Sequence, residues 1–76
     1  KVDDKNDKHI GSPLPGQVAK IFVQSGNKVI KGDKLLVIEA MKMETTINAD
    51  KSGTIKSINV SSGDNVETRD LLLEFN

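Results

Sequence analysis

The chain has 76 residues, so it is one small domain that buries only about 60% of the surface its unfolded form exposes. Eleven lysines and arginines balance eleven aspartates and glutamates, and no tryptophan or tyrosine offers a stacking platform, which argues against nucleic acid as a partner. The absence of cysteine excludes disulfides and thiolate metal sites, the single histidine, His9, cannot hold a metal alone, and no apolar run approaches the ~18 residues of a membrane-spanning helix.

Residues 1–8 carry lysines, aspartates and an asparagine with only Val2 apolar, the composition of a solvated, flexible linker. Fully extended, such a segment spans roughly 25–30 Å. The chain begins without methionine in this charged stretch, as a piece of a larger chain would. The ordered domain is expected over 9–76. It opens at His9-Ile10-Gly11, followed by Ser12-Pro13-Leu14-Pro15-Gly16, whose prolines and flanking glycines punctuate the chain before the first long strand.

From Gly16 onward the sequence repeats itself at a spacing of 37 residues. Gly16, Ile21, Val23, Ser25, Gly26, Val29, Asp33, Leu35 and Leu36 recur without a gap as Gly53, Ile58, Val60, Ser62, Gly63, Val66, Asp70, Leu72 and Leu73. Val18 matches Ile55, Asn27 matches Asp64 and Ile38 matches Phe75 conservatively. A duplication of this kind predicts two halves about a pseudo-two-fold axis, folded as one body because neither half can bury a core alone.

Each half reads as strands. The apolar positions of the first, Val18, Ile21 and Val23, recur as Ile55, Ile58 and Val60, and the spacing slips from three to two at the same place in both, which predicts a β-bulge. Ser25-Gly26-Asn27 and Ser62-Gly63-Asp64 supply turn chemistry, short strands follow at Val29 and Val66, and Lys31-Gly32-Asp33 and Thr68-Arg69-Asp70 turn into Leu35 to Ala40 and Leu71 to Phe75. No helical periodicity is present. The pattern predicts an all-β barrel or sandwich of about eight short strands in two related halves, with the chain ends away from residues 40–43.

Between the copies stands Ile38-Glu39-Ala40-Met41-Lys42-Met43-Glu44-Thr45. With Met41 and Lys42 as the centre of a two-residue hairpin, Ala40 faces Met43 and Glu39 faces Glu44. Alternation places Leu36, Ile38, Ala40, Met43, Ile47 and Ala49 on a core face and Glu39, Glu44, Thr46 and Asn48 on the other. Met43 is then expected to pack over Ala40 and close the barrel end, while Met41 is exposed and Lys42 projects. Such a turn requires positive φ at two non-glycine residues, a local strain.

Two kinds of chemistry compete here. Glu39 and Glu44 could pass for a catalytic carboxylate pair, but they flank an exposed turn where general acid-base work finds no pocket, and Ser61-Ser62 is accounted for by turn geometry. Alternatively Lys42 carries something, since a lysine amine can be acylated to a stable amide and a hairpin tip presents it without hindrance. Two methionines beside it, where stability alone would favour Asn-Gly, set it apart from an ordinary solvated lysine in an imperfect turn.

Glu39-Ala40-Met41-Lys42-Met43 resembles the attachment motif of biotin carboxyl carrier domains, and the likeness runs from His9 to Phe75. The related lipoyl domains share the duplicated barrel but usually carry Asp-Lys-Ala at the tip. The resemblance implies a flattened β-barrel or sandwich, the barrel-sandwich hybrid of biotinyl and lipoyl domains. Biotin would be joined by an amide to the Lys42 side-chain nitrogen, with Glu39, Ala40, Met41 and Met43 as motif context. His9 to Gly16 is similar to the lead-in of the C-terminal carrier domain of pyruvate carboxylases; Leu14 stands where that family often has methionine. The gapless repeat leaves no room for the protruding thumb of bacterial multi-subunit acetyl-CoA carboxylase carriers.

The resemblance further implies, as partners, a biotin protein ligase that acylates Lys42 and supplies the base for its amine, and the biotin carboxylase and carboxyltransferase domains of a parent enzyme. The domain would have no catalytic group of its own and no metal. It would shuttle a carboxyl group between those sites, from bicarbonate to pyruvate, or within an acyl-CoA carboxylase or a biotin-dependent decarboxylase. The compartment would be bacterial cytoplasm, mitochondrial matrix or cytosol. A lipoyl carrier or an unmodified interaction module are the competing classes.

Overall fold

The computed structural model describes residues 8–76, and these contain strands and turns with no helix. The linker expected over 1–8 lies outside the described residues except for Lys8, whose carbonyl accepts a hydrogen bond from the Phe75 N–H at 2.8 Å. The strands are β1 (His9–Gly11), β2 (Gly16–Ile21), β3 (Lys28–Val29), β4 (Lys34–Ala40), β5 (Met43–Asn48), β6 (Gly53–Ile58), β7 (Asn65–Val66) and β8 (Leu71–Phe75). They form two four-stranded antiparallel sheets, ordered β1-β8-β6-β3 and β5-β4-β2-β7.

The repeat maps one sheet onto the other. β2 corresponds to β6, β3 to β7 and β4 to β8, and each of the two-residue strands crosses over: β3 pairs with β6 of the second half, and β7 with β2 of the first. Neither half can therefore complete a sheet alone, as the duplication predicts. The structure also extends the repeat upstream of Gly16. β1 is the counterpart of β5, and Ile10 and Ile47 occupy matching buried positions.

The slip in apolar spacing is a bulge in both halves. Register shifts between Val18 and Lys20 against β4, and between Ile55 and Ser57 against β8, positions that superpose on the repeat. An extra residue on one strand bends it and increases its twist. That curvature lets two short sheets wrap one core, made of Val18 with Ile55, Val29 with Val66, Leu35 and Leu36 with Leu72 and Leu73, and Ile38 with Phe75.

Four tight turns of one design close the strand ends. Asn27, Asp33, Asp64 and Asp70 each accept, through a side-chain oxygen, the backbone N–H three residues back at 2.8 to 3.0 Å. Each returns its own N–H to that residue's carbonyl. The residue before each Asn or Asp has positive φ: Gly26 at 91°, Gly32 at 96°, Gly63 at 97°, and, where the repeat lacks glycine, Arg69 at 71°. A type II turn demands this at its third position.

Phe75 pairs at the level of Lys8, and the Asn76 N–H donates to Thr54 O beside the β6 end that meets β3. The described ends of the chain thus gather where β4 begins, and the β4–β5 turn stands at the other end.

Candidate functional site

β4 and β5 are joined by Met41 and Lys42 alone, with Ala40 opposite Met43 and Glu39 opposite Glu44, the predicted register. Both turn residues are left-handed, Met41 at φ 53° and Lys42 at φ 67°. Positive φ at both central positions is the geometry whose twist matches that of the flanking strands, and it favours Asn-Gly. Keeping two side chains there costs of order 1–2 kcal/mol per residue. Lys42 is exposed at the tip.

Two features hold the stem. On one side β2 pairs with β4, Gln17 opposite Glu39, and the Gln17 amide nitrogen donates to Gly63 O at 3.1 Å. At the start of β2, Gly16 lies directly against the hairpin. A Cβ built there would come within 2.6 Å of Glu39 O and 2.8 Å of Ile38 Cγ2. This close approach was not readable from the repeat, which pairs Gly16 with Gly53, where the same Cβ would meet only Phe75 at 4.0 Å.

The methionines differ from expectation on one side. Met41 is 95% exposed, as predicted, but Met43 is 72% exposed and does not close the barrel end. Alternation assigns it correctly to the core face, since Ile38 pairs with Thr45 and Leu36 with Ile47 on that face. However, β2 begins beside Ala40, so no neighbouring strand continues past that level to cover Met43. Ala40 is half-buried, and Glu39 and Glu44 are exposed and face each other. The tip therefore presents Met41, Lys42 and Met43 together to solvent, an arrangement suited to being handled by another protein rather than to catalysis.

One groove, of about 330 Å³, runs down the side of the molecule between the facing edges of β1 and β5. Its walls include His9, Ile10 and Pro13 on one side and Thr45, Thr46 and Asn48 on the other. No group of three or more histidine, aspartate or glutamate side chains able to hold a metal occurs among the described residues.

Against known proteins, the family described as "Biotin-requiring enzyme" matches residues 8–75. The pyruvate carboxylase of Bacillus subtilis (strain 168) is 51% identical over 75 residues, which cover 99% of this chain and 6% of that protein. Among solved structures, a complete multifunctional pyruvate carboxylase from Rhizobium etli superposes with a TM-score of 0.85 and 41% identity, over 99% of this chain and 6% of that one. The lipoyl domain of the 2-oxoglutarate dehydrogenase complex from Azotobacter vinelandii superposes at 0.78 with 26% identity, over 90% of this chain and 94% of that one. The chain is thus similar to a small part of large carboxylases and to nearly the whole of a lipoyl domain.

Proposed function

The chain belongs to the family of biotin-requiring enzymes, and on that premise we propose that it is the carrier domain of a biotin-dependent carboxylase, with biotin held in amide linkage on Lys42. The observation that carries this reading is the tip itself: a lysine fixed at a left-handed turn position, exposed, and flanked by two exposed methionines. The residues fit the group. An acylated Lys42 would displace no core side chain, since Lys42 is exposed.

Lys42 Nζ would hold biotin through an amide bond to its carboxyl carbon, formed with a biotin protein ligase and with AMP as the leaving group. The attacking nitrogen must be the free amine, and the ligase would supply the base that takes the proton from Nζ. When bound, biotin supplies a ring nitrogen that accepts a carboxyl group at one site and releases it at another. The chain's own contribution is presentation. The rigid hairpin holds the attachment point outside the barrel, and tethering to the parent keeps it at high effective concentration at both sites.

The parent we propose is a pyruvate carboxylase, whose biotin carboxylase and carboxyltransferase domains are the partners and whose acceptor is pyruvate. The 51% identity to the Bacillus subtilis protein supports this, as does the His9 to Gly16 lead-in. Co-expression with a biotin ligase followed by intact-mass measurement tests the attachment: a single biotinyl increment is expected in the natural sequence and none in Lys42→Arg. A lipoyl increment in place of biotin would overturn it. Complementing a parent pyruvate carboxylase lacking its own carrier with this domain tests the acceptor.

A further inference from the structure

The groove between β1 and β5 lies beside the strand that descends from Lys42. β5 has a strand neighbour on one side only, β4. Because Ala40 and Met43 close a two-residue turn, the backbone groups of Met43, Thr45 and Ile47 face β4, and those of Glu44, Thr46 and Asn48 face outward. On this edge Thr46 and Asn48 line the groove, so their outward N–H and C=O groups have no strand partner there. The groove also has apolar lining: Ile10 and Ile47, 7% and 9% exposed, belong to the one core and border it.

Biotin's ring system has a matching pair of surfaces. Its ureido group carries one carbonyl and two N–H groups, the same donors and acceptor that an open strand edge lacks, and its thioether ring is apolar. Reach also agrees. Eleven covalent bonds, five of the lysine side chain, the amide and five of the valeryl chain, separate the Lys42 Cα from the ring; three backbone bonds span roughly 3.5 Å, so the extended arm spans about 13 Å. Thr45 and Thr46 lie three and four residues down β5, about 10 and 13 Å along the strand.

Resting on the carrier reading above, we infer that the β1–β5 groove is an intramolecular docking site for the biotin ring, which pairs with the free edge of β5 at Thr46 and rests on Ile10 and Ile47 between visits to the partner sites. Tethering makes weak contacts sufficient, because the ring faces its own groove at an effective concentration in the millimolar range. Docking shields the ring from bulk water and leaves Lys42 and its methionines exposed for a partner to draw the arm out.

The test uses the 76-residue chain itself, whose core is formed entirely by its own residues. Intact mass first establishes the biotinyl increment, and amide spectra of the unmodified and biotinylated forms are then compared. Docking predicts shifts at Thr45 to Asn48, Ile10 and Gly11 in addition to the tip, and amide exchange at Thr46 slowed about threefold, as a docked fraction near two thirds gives. Thr46→Pro removes the outward N–H and leaves the bonds to β4, a change edge strands accept, and should abolish the groove shifts while keeping those at the tip. An increment with shifts confined to residues 40–44 overturns the docking and leaves the carrier reading intact. Groove shifts that persist in Thr46→Pro overturn the edge pairing, and the absence of any increment overturns both readings.

Discussion

Gly16 lies under the carbonyl of Glu39 so closely that a methyl group added to it would stand 2.6 Å from that oxygen, whereas its repeat partner Gly53 has ordinary van der Waals room. The two halves are thus alike in fold and unlike in how tightly the hairpin is held. Gly16→Ala should destabilise the domain by about 1–3 kcal/mol through backbone displacement, and Gly53→Ala by much less. Urea titrations of the two variants make each the control for the other; equal losses would mean that the clamp at Gly16 does not exist.

Strain at the tip has a measurable sign. Replacing Met41-Lys42 by Asn-Gly relieves two left-handed side chains and should stabilise the domain by about 1–2 kcal/mol, seen as a raised midpoint with an unchanged slope. On the carrier reading, the same double variant should take no biotin. No gain in stability would show that the tip is relaxed as it stands.

Met43 provides a third test, because its exposure separates stability from recognition. Met43→Ala should change unfolding free energy by less than about 0.5 kcal/mol, the range of ordinary surface substitutions. A fall in the ligase or carboxylation rate of that variant, and of Met41→Ala, then reports contact with a partner. Loss of about 2 kcal/mol or more would restore Met43 to the core.

The repeated turns predict matched losses. Asp33→Ala and Asp70→Ala each remove a carboxylate that accepts a backbone N–H near 3 Å, and each should cost roughly 1–2 kcal/mol. Arg69→Gly should run the other way and gain about 1 kcal/mol, since it restores glycine where φ is 71° and its partner Gly32 sits at 96°. Thermal melts of the three variants check the set.

Much of this fold was legible in the chain because it is written twice. Val18-x-x-Ile21 and Ile55-x-x-Ile58 revealed a bulge that either stretch alone would have left ambiguous, and Met41-Lys42 could be centred because the alternation on both sides agreed. Besides the close approach at Gly16, three features escaped. Ile10 and Ile47 lie in segments otherwise too divergent to align, so β1 was not recognised as the partner of β5. The exchange of β3 and β7 depends on long-range pairing between two-residue strands, which no local pattern encodes. Met43 was placed on the right face but given a cover it lacks, since alternation specifies a direction and says nothing about what stands opposite.

Lys8 is tied to Phe75 at the end of the molecule away from the Lys42 turn, and the body is 31 Å in its longest dimension. Exchanged strands brace the two sheets against each other. A small rotation near Lys8 sweeps the lysine along an arc whose radius is of the order of that length. On the carrier reading proposed above, turning this body would cover most of the distance between two partner sites, and the arm would supply only the last approach.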